Sequence, residues 1–117
     1  MLKMKKVLVV DDCSVNLCLL AAILKKEGCK TDTAKDGVEA FSKATNNNYD
    51  LIFTDIRMPN MNGYELSKKL REKGYEKPII AVTSEKDSRT REEAGIDGYI
   101  KKPIQSEKFK NLLRYCV

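Results

Sequence analysis

Five residues draw attention because each closes or follows an apolar run and carries a group able to act on phosphate or metal. Asp11 and Asp12 follow KVLVV, Asp55 follows LIFT, Thr83 closes IIAVT, and Lys102 comes shortly after GYI. Three carboxylates gathered in one place raise one another's pKa, so such a group calls for a cation. Histidine is absent, and Cys13, Cys18, Cys29 and Cys116 show no CxxC spacing. The cysteines therefore read as reduced, small apolar side chains and not as a zinc centre. Hard oxygen ligands suit Mg²⁺, which keeps several waters and is often completed by phosphate oxygens. A lysine opposite adds a compact charge for a phosphoryl group, and a threonine hydroxyl can donate to another of its oxygens. The set reads as a phosphoryl-transfer site in which one carboxylate could be the nucleophile, forming an acyl phosphate.

Those residues meet only if the chain folds so that they do. KVLVV (6–10), LIFT (51–54) and IIAVT (79–83) are continuously apolar, the pattern of strands buried on both faces of a parallel sheet. Weaker strands are expected at CKTDTA (29–34) and GYI (98–100). Between them, SVNLCLLAAILKKEG predicts a helix with Val15, Leu19, Ala22 and Ile23 on its apolar stripe, Ser14 as its cap and Gly28 as its stop. Asp36 opens a second helix, with Glu39 in capping-box register and Val38, Ala40, Phe41 and Ala44 as apolar surface. A third follows Gly63, with Leu66 and Leu70 one turn apart and Gly74 as its end. A last amphipathic helix, from about Ser106, carries Phe109, Leu112, Leu113 and Cys116. SEKDSRTREE (84–93) has no apolar side chain, so a fourth helix there is expected to be short or frayed. Five strands alternating with five helices predict an open, parallel α/β sheet. The carboxyl ends of its strands share one edge, where ligands bind at the reversal of strand order.

Composition sets the outer limits. The 117 residues, 42% hydrophobic, suit one domain over 1–117. A net charge of +5 could suggest nucleic acid, but the basic residues are interspersed with 17 acids and few aromatics are present to stack bases. No apolar run approaches a membrane span, and MLKMKKVLVVDD turns acidic too soon for a signal peptide, so a soluble, cytoplasmic protein is expected.

VVDDCSVN, LIFTDIRMPNMNGYEL, AVTS and GIDGYIKKPI, in this order over nearly the whole chain, resemble the receiver domain of two-component response regulators. The resemblance implies a flavodoxin-like (βα)5 three-layer sandwich with strand order 2-1-3-4-5, an order known for this fold. It implies that Asp55 accepts a phosphoryl group from a histidine kinase or histidine-containing phosphotransfer protein. Asp11, Asp12, Asp55 and the carbonyl of Arg57 would hold Mg²⁺. Thr83 and Lys102 would contact the phosphoryl group, and Tyr99 would turn inward on activation. Such a domain promotes only its own phosphorylation and dephosphorylation, and acts as a monomer or weak dimer. The segments resemble receivers of hybrid histidine kinases as well as stand-alone carriers, so both remain open. Met1 and an end one helix past Lys102 are compatible with a free-standing protein or with a piece of a larger chain.

Each residue also has a plainer reading. Asp12 could cap the first helix, Thr83 could be an ordinary strand residue, Lys102 a solvated lysine, and Tyr99 plain core. Met58 and Met61 read as loop packing, and Pro59 and Gly63 as the turn into the third helix. Lys102 precedes Pro103, and a cis bond there would fix where the lysine points. Arg57 and Glu85 could face each other across the pocket mouth and limit water's access. An aspartyl-intermediate phosphatase would normally carry a second acid two residues after the nucleophile, where this chain has Arg57. A receiver-like module that binds without being phosphorylated would have no need of the intact set Asp11, Asp12, Asp55, Thr83 and Lys102.

Overall fold

The computed structural model describes residues 5–83 and 95–102 and Glu107, with the side chain of Thr83 outside that description. The chain order is β1 (Lys6–Val10), α1 (Ser14–Lys26), β2 (Lys30–Ala34), α2 (Gly37–Asn46), β3 (Leu51–Asp55), α3 (Gly63–Glu72), β4 (Ile79–Thr83) and β5 (Gly98–Lys101). All neighbouring strands pair in parallel in the order β2-β1-β3-β4-β5, as the motifs imply. The expected fourth helix, the final helix and the Lys102–Pro103 bond lie outside the described residues.

The continuous apolar runs are explained by two cores, one on each side of the sheet. Val7 and Val9 of β1, Leu51 and Phe53 of β3, and Ile80 and Val82 of β4 face α1. The alternate residues Leu8, Val10, Ile52, Ile79 and Ala81 face α2 and α3. Side chains alternate along a strand, so a strand covered on both faces must be apolar at every position. Edge strand β2 is covered less and is accordingly mixed, KTDTA.

Helix α1 corrects the sequence reading. Its buried residues are Leu17, Leu20 and Leu24, whereas Val15 is 73% and Leu19 45% exposed. The helix carries two apolar stripes, and contact with β1 and β2 selects the leucine stripe, with Ile23 of the expected set packing against its edge. Its N-cap is Cys13, not Ser14 or Asp12, and no side chain caps it. Gly28 does end it, at φ +86°, a backbone region that favours glycine.

Helix α2 starts at the expected cap, Asp36 Oδ1 accepting from the Glu39 amide at 2.8 Å. The reciprocal bond goes one residue further back, Glu39 accepting from the Lys35 amide. Ala40 is buried and Phe41 and Ala44 pack on the core, but Val38 points outward. Helix α3 has a full capping box between Asn62 and Glu65, worth about 1 kcal/mol. Leu66 and Leu70 are its core residues, as expected.

Arg71, near the end of α3, joins three segments. Its guanidinium donates to the carbonyls of Tyr75, Lys77 and Gly95 and to the Asp97 carboxylate at 2.8–3.0 Å. Asp97 in turn accepts from the Ile79 amide at 2.9 Å. The entries of β4 and β5, and so the strands that deliver Thr83 and Lys102, are tied to α3 by one side chain.

Candidate functional site

Parallel strands put their carboxyl ends on one edge, so the groups that follow β1, β3 and β5 converge there. Asp11 is 1% and Asp55 8% exposed, whereas Asp12 is exposed at the rim. One carboxylate oxygen from each of Asp11, Asp12 and Asp55 lies within 4.8 Å of the others. Lys102 reaches in from the end of β5, its Nζ 3.1 Å from Asp11 Oδ2 and 3.2 Å from Asp55 Oδ2.

Local backbone aims both buried acids. Asp11 Oδ1 accepts from the Cys13 amide at 2.9 Å, which bends the chain into α1 and turns the other oxygen toward Lys102. Asn16, one turn into α1, donates to that second oxygen at 3.3 Å. Asp55 Oδ1 accepts from the Ile56 amide at 2.8 Å, leaving Oδ2 for Lys102. Behind Asp55 the start of α3 approaches so closely that a Cβ on Gly63 would lie 2.4 Å from the Asp55 carbonyl oxygen. Glycine is required there by close approach, which joins Gly63 to the Asp55 loop through its amide, bonded to the Ile56 carbonyl at 2.8 Å.

Burial, then the neighbouring Asp11, raises the pKa of Asp55, and Lys102 and the Ile56 amide only partly offset this. For Lys102, burial is the largest single influence and acts downward. Its bonds to Asp11 and Asp55 outweigh that together and raise its pKa, holding the ammonium charged.

Among the described residues, three carboxylates and one ammonium leave two formal negative charges, the complement of one divalent cation. The donors are all hard oxygens, with neither His nor Cys among them. The residues present therefore fit Mg²⁺.

The remaining expected residues divide. Thr83 is the last residue of β4, paired in register with Lys101. Arg57 is exposed two residues past Asp55, and Glu85 lies outside the described residues. Tyr99 on β5 packs against the α2–α3 core, and its hydroxyl is 3.1 Å from that of Tyr64 on α3. Met61 is buried and Met58 packs beside it, as loop packing requires. Asn16 and Tyr64 were not legible as site residues. Only the place of Asn16 in the first turn of α1, just after Asp11 and Asp12, was a usable signal.

The model for the response regulator receiver domain matches residues 7–114. The chain belongs to the response regulator receiver family. This receiver is 36% identical over 110 residues to sensor histidine kinase RcsC of Escherichia coli (strain K12), a match covering 92% of the chain and 12% of RcsC. It spans only 7% to 12% of the length of the curated relatives it matches. Among solved structures, the Vibrio cholerae chemotaxis protein CheY4 superposes with TM-score 0.91 at 32% identity, covering 98% of this chain and all of that one. The receiver domain of sensor histidine kinase PA1611 from Pseudomonas aeruginosa PAO1 has TM-score 0.88 at 30% identity, covering 97% of this chain and 98% of that chain. That structure has a magnesium ion coordinated in its active site cleft. Among the described residues of this receiver, no helix is long and apolar enough to cross a membrane.

Proposed function

We propose that residues 1–117 form one receiver unit that takes a phosphoryl group from a phosphohistidine onto Asp55. The observation that carries this reading is the placement of the Asp55 carboxylate at the end of β3, beside Asp11 and Asp12 and 3.2 Å from the Lys102 ammonium. Asp55 must be ionised to attack. Burial opposes this, and Lys102 supports it. In the transfer, a bond forms between an Asp55 carboxylate oxygen and phosphorus while the phosphorus–nitrogen bond breaks. The imidazole leaves with the electron pair. Lys102, already within the site, is placed to meet charge on the phosphoryl oxygens, and Thr83 at the end of β4 would supply a hydroxyl donor. Mg²⁺, held by Asp11, Asp12, Asp55 and the Arg57 carbonyl, would neutralise charge on the transferred group.

Phosphorylation replaces one negative charge at Asp55 by about two and adds acceptor oxygens. In this reading Thr83 would be drawn toward them and Tyr99 would move in response, so that a local charge change biases a two-state surface. The hydroxyl contact from Tyr64 ties that movement to α3. The phosphoryl donor is a histidine kinase or a histidine-containing phosphotransfer partner. Several relatives are named as sensor or hybrid histidine kinases, which supports both this donor and a receiver within a larger chain. The exposed Val15 and Leu19, the first of them three residues after Asp12, offer such a partner apolar surface.

The test is Mg²⁺-dependent labelling by a small-molecule phosphodonor. The unsubstituted protein should take up a hydroxylamine-sensitive phosphoryl group, and Asp55→Asn should take up none. Equal incorporation by Asp55→Asn would overturn the assignment.

A further inference from the structure

The loop between β3 and α3 carries Arg57, and a second helix grips it. Asp36, the N-cap of α2, divides its carboxylate between two tasks. Oδ1 accepts from the Glu39 amide at 2.8 Å, and Oδ2 accepts from Asn60 Nδ2 at 3.1 Å. Asn60 stands at φ +71°, a conformation that side chains other than Asn, Asp and Gly rarely adopt. The next residue closes the contact: a Cβ on Gly37 would lie 2.6 Å from the Met61 carbonyl oxygen and 2.7 Å from Met61 Cβ. The start of α2 and the tip of the loop thus meet backbone to backbone. At its base the loop is held by the Gly63 amide on the Ile56 carbonyl, at 2.8 Å. Arg57 lies between these two attachments.

We infer that Asp36 is a positioning residue for the metal site, holding the Arg57 carbonyl in place through Asn60. This rests on the proposed ligand set. A carbonyl on a loop held at one end only would sample many positions, and the ordering would then be taken from the ion's binding free energy. Clamping at both ends removes that loss. The plainer alternative is that Asp36 caps α2 and its bond to Asn60 is incidental.

Reversing the polarity of the pair separates the two. Asn caps a helix as well as Asp does, so Asp36→Asn keeps α2 capped, and a half-turn of the Asn60 amide still pairs an oxygen with the new donor, leaving a neutral bond in place of a charged one. Asn60→Asp alone sets two carboxylates against each other. The double variant restores one donor and one acceptor. Mg²⁺ binding is measured by titration calorimetry, and backbone hydrogen exchange is followed over residues 57–61 and at Glu39.

Asn60→Asp should weaken Mg²⁺ binding about three- to tenfold, the weight of one hydrogen bond, Asp36→Asn by less than about threefold, and the double variant should return to within about twofold of the parent. Exchange over 57–61 should quicken in Asn60→Asp and recover in the double, with Glu39 unchanged in Asp36→Asn. The sign for Asn60→Asp is decisive, because an added negative charge near the site would by itself tighten cation binding. Tighter or unchanged binding in Asn60→Asp, or a double variant as weak as the singles combined, overturns the inference. Loss of Mg²⁺ binding in Asp11→Asn together with unaffected pair variants leaves the ligand set standing and rejects the clamp alone. No Mg²⁺ uptake by the parent rejects both.

Discussion

Lys102→Met removes the one ammonium that, among the described residues, faces the two buried acids, while keeping most of the side chain's apolar stem. At 3.1 and 3.2 Å, each attraction is worth about 5 kcal/mol at an effective dielectric of about 20. Taking the groups out of water offsets most of that, and removing one partner of a buried pair typically destabilises by about 3–5 kcal/mol. Lys102 keeps some exposure and Asp55 can take a proton, so the low end applies, about 3 kcal/mol near neutral pH. The pH dependence has a definite sign. Burial and Asp11 already raise the pKa of Asp55, and removing Lys102 removes an influence that lowers it. An acid whose folded pKa is raised destabilises the fold when ionised, and that destabilisation fades as pH falls through the raised value. The variant's deficit should therefore be larger at about pH 8 than at about pH 5. Urea unfolding followed by circular dichroism, in chelator, measures it at both values. Adding Mg²⁺ should narrow the gap, because the variant's site carries one more uncompensated negative charge and an ion bound only by the folded state stabilises it. A variant as stable as the parent at the higher pH, or a deficit that grows on acidification, would refute the electrostatic account.

Gly63→Ala should destabilise by about 2 kcal/mol and lower phosphoryl uptake, since its methyl group would strike the Asp55 carbonyl at 2.4 Å. Parent-like stability and labelling would show that α3 can withdraw freely. Arg71→Ala should lose about 3 kcal/mol in urea unfolding, because three carbonyls and Asp97 lose their donor. Arg71→Lys should recover less than half of this, lacking the planar fork. Ser67 is buried on α3, and its hydroxyl has no hydrogen-bond partner among the described residues. Ser67→Ala should therefore stabilise by about 1 kcal/mol, seen as a higher thermal midpoint.

The sheet was legible because parallel strands covered on both faces must be apolar along the covered length, as VLVV and IIAV are. The convergence of Asp11, Asp55 and Lys102 followed from that, since topology alone brings strand ends together. The buried face of α1 was not legible. Val15 and Leu19 form a stripe as apolar as Leu17, Leu20 and Leu24, and only packing against the sheet chooses between them. The Asn62–Glu65 capping box was readable in NGYE but had no apolar run before it to draw attention. Asp36 with Asn60, and Arg71 with Gly95, pair across 24 residues through loop backbone whose course no local pattern specifies.

The claim on which the rest depends is that Asp55 receives the phosphoryl group. Borohydride reduction of the labelled protein converts an aspartyl phosphate to homoserine, and mass spectrometry then locates it in the peptide containing LIFTDIRMPNMNG. Homoserine at position 55, formed with Mg²⁺ and absent with chelator, is the expected result. Homoserine at Asp11 or Asp12, or a phosphoryl group that resists hydroxylamine, would contradict it.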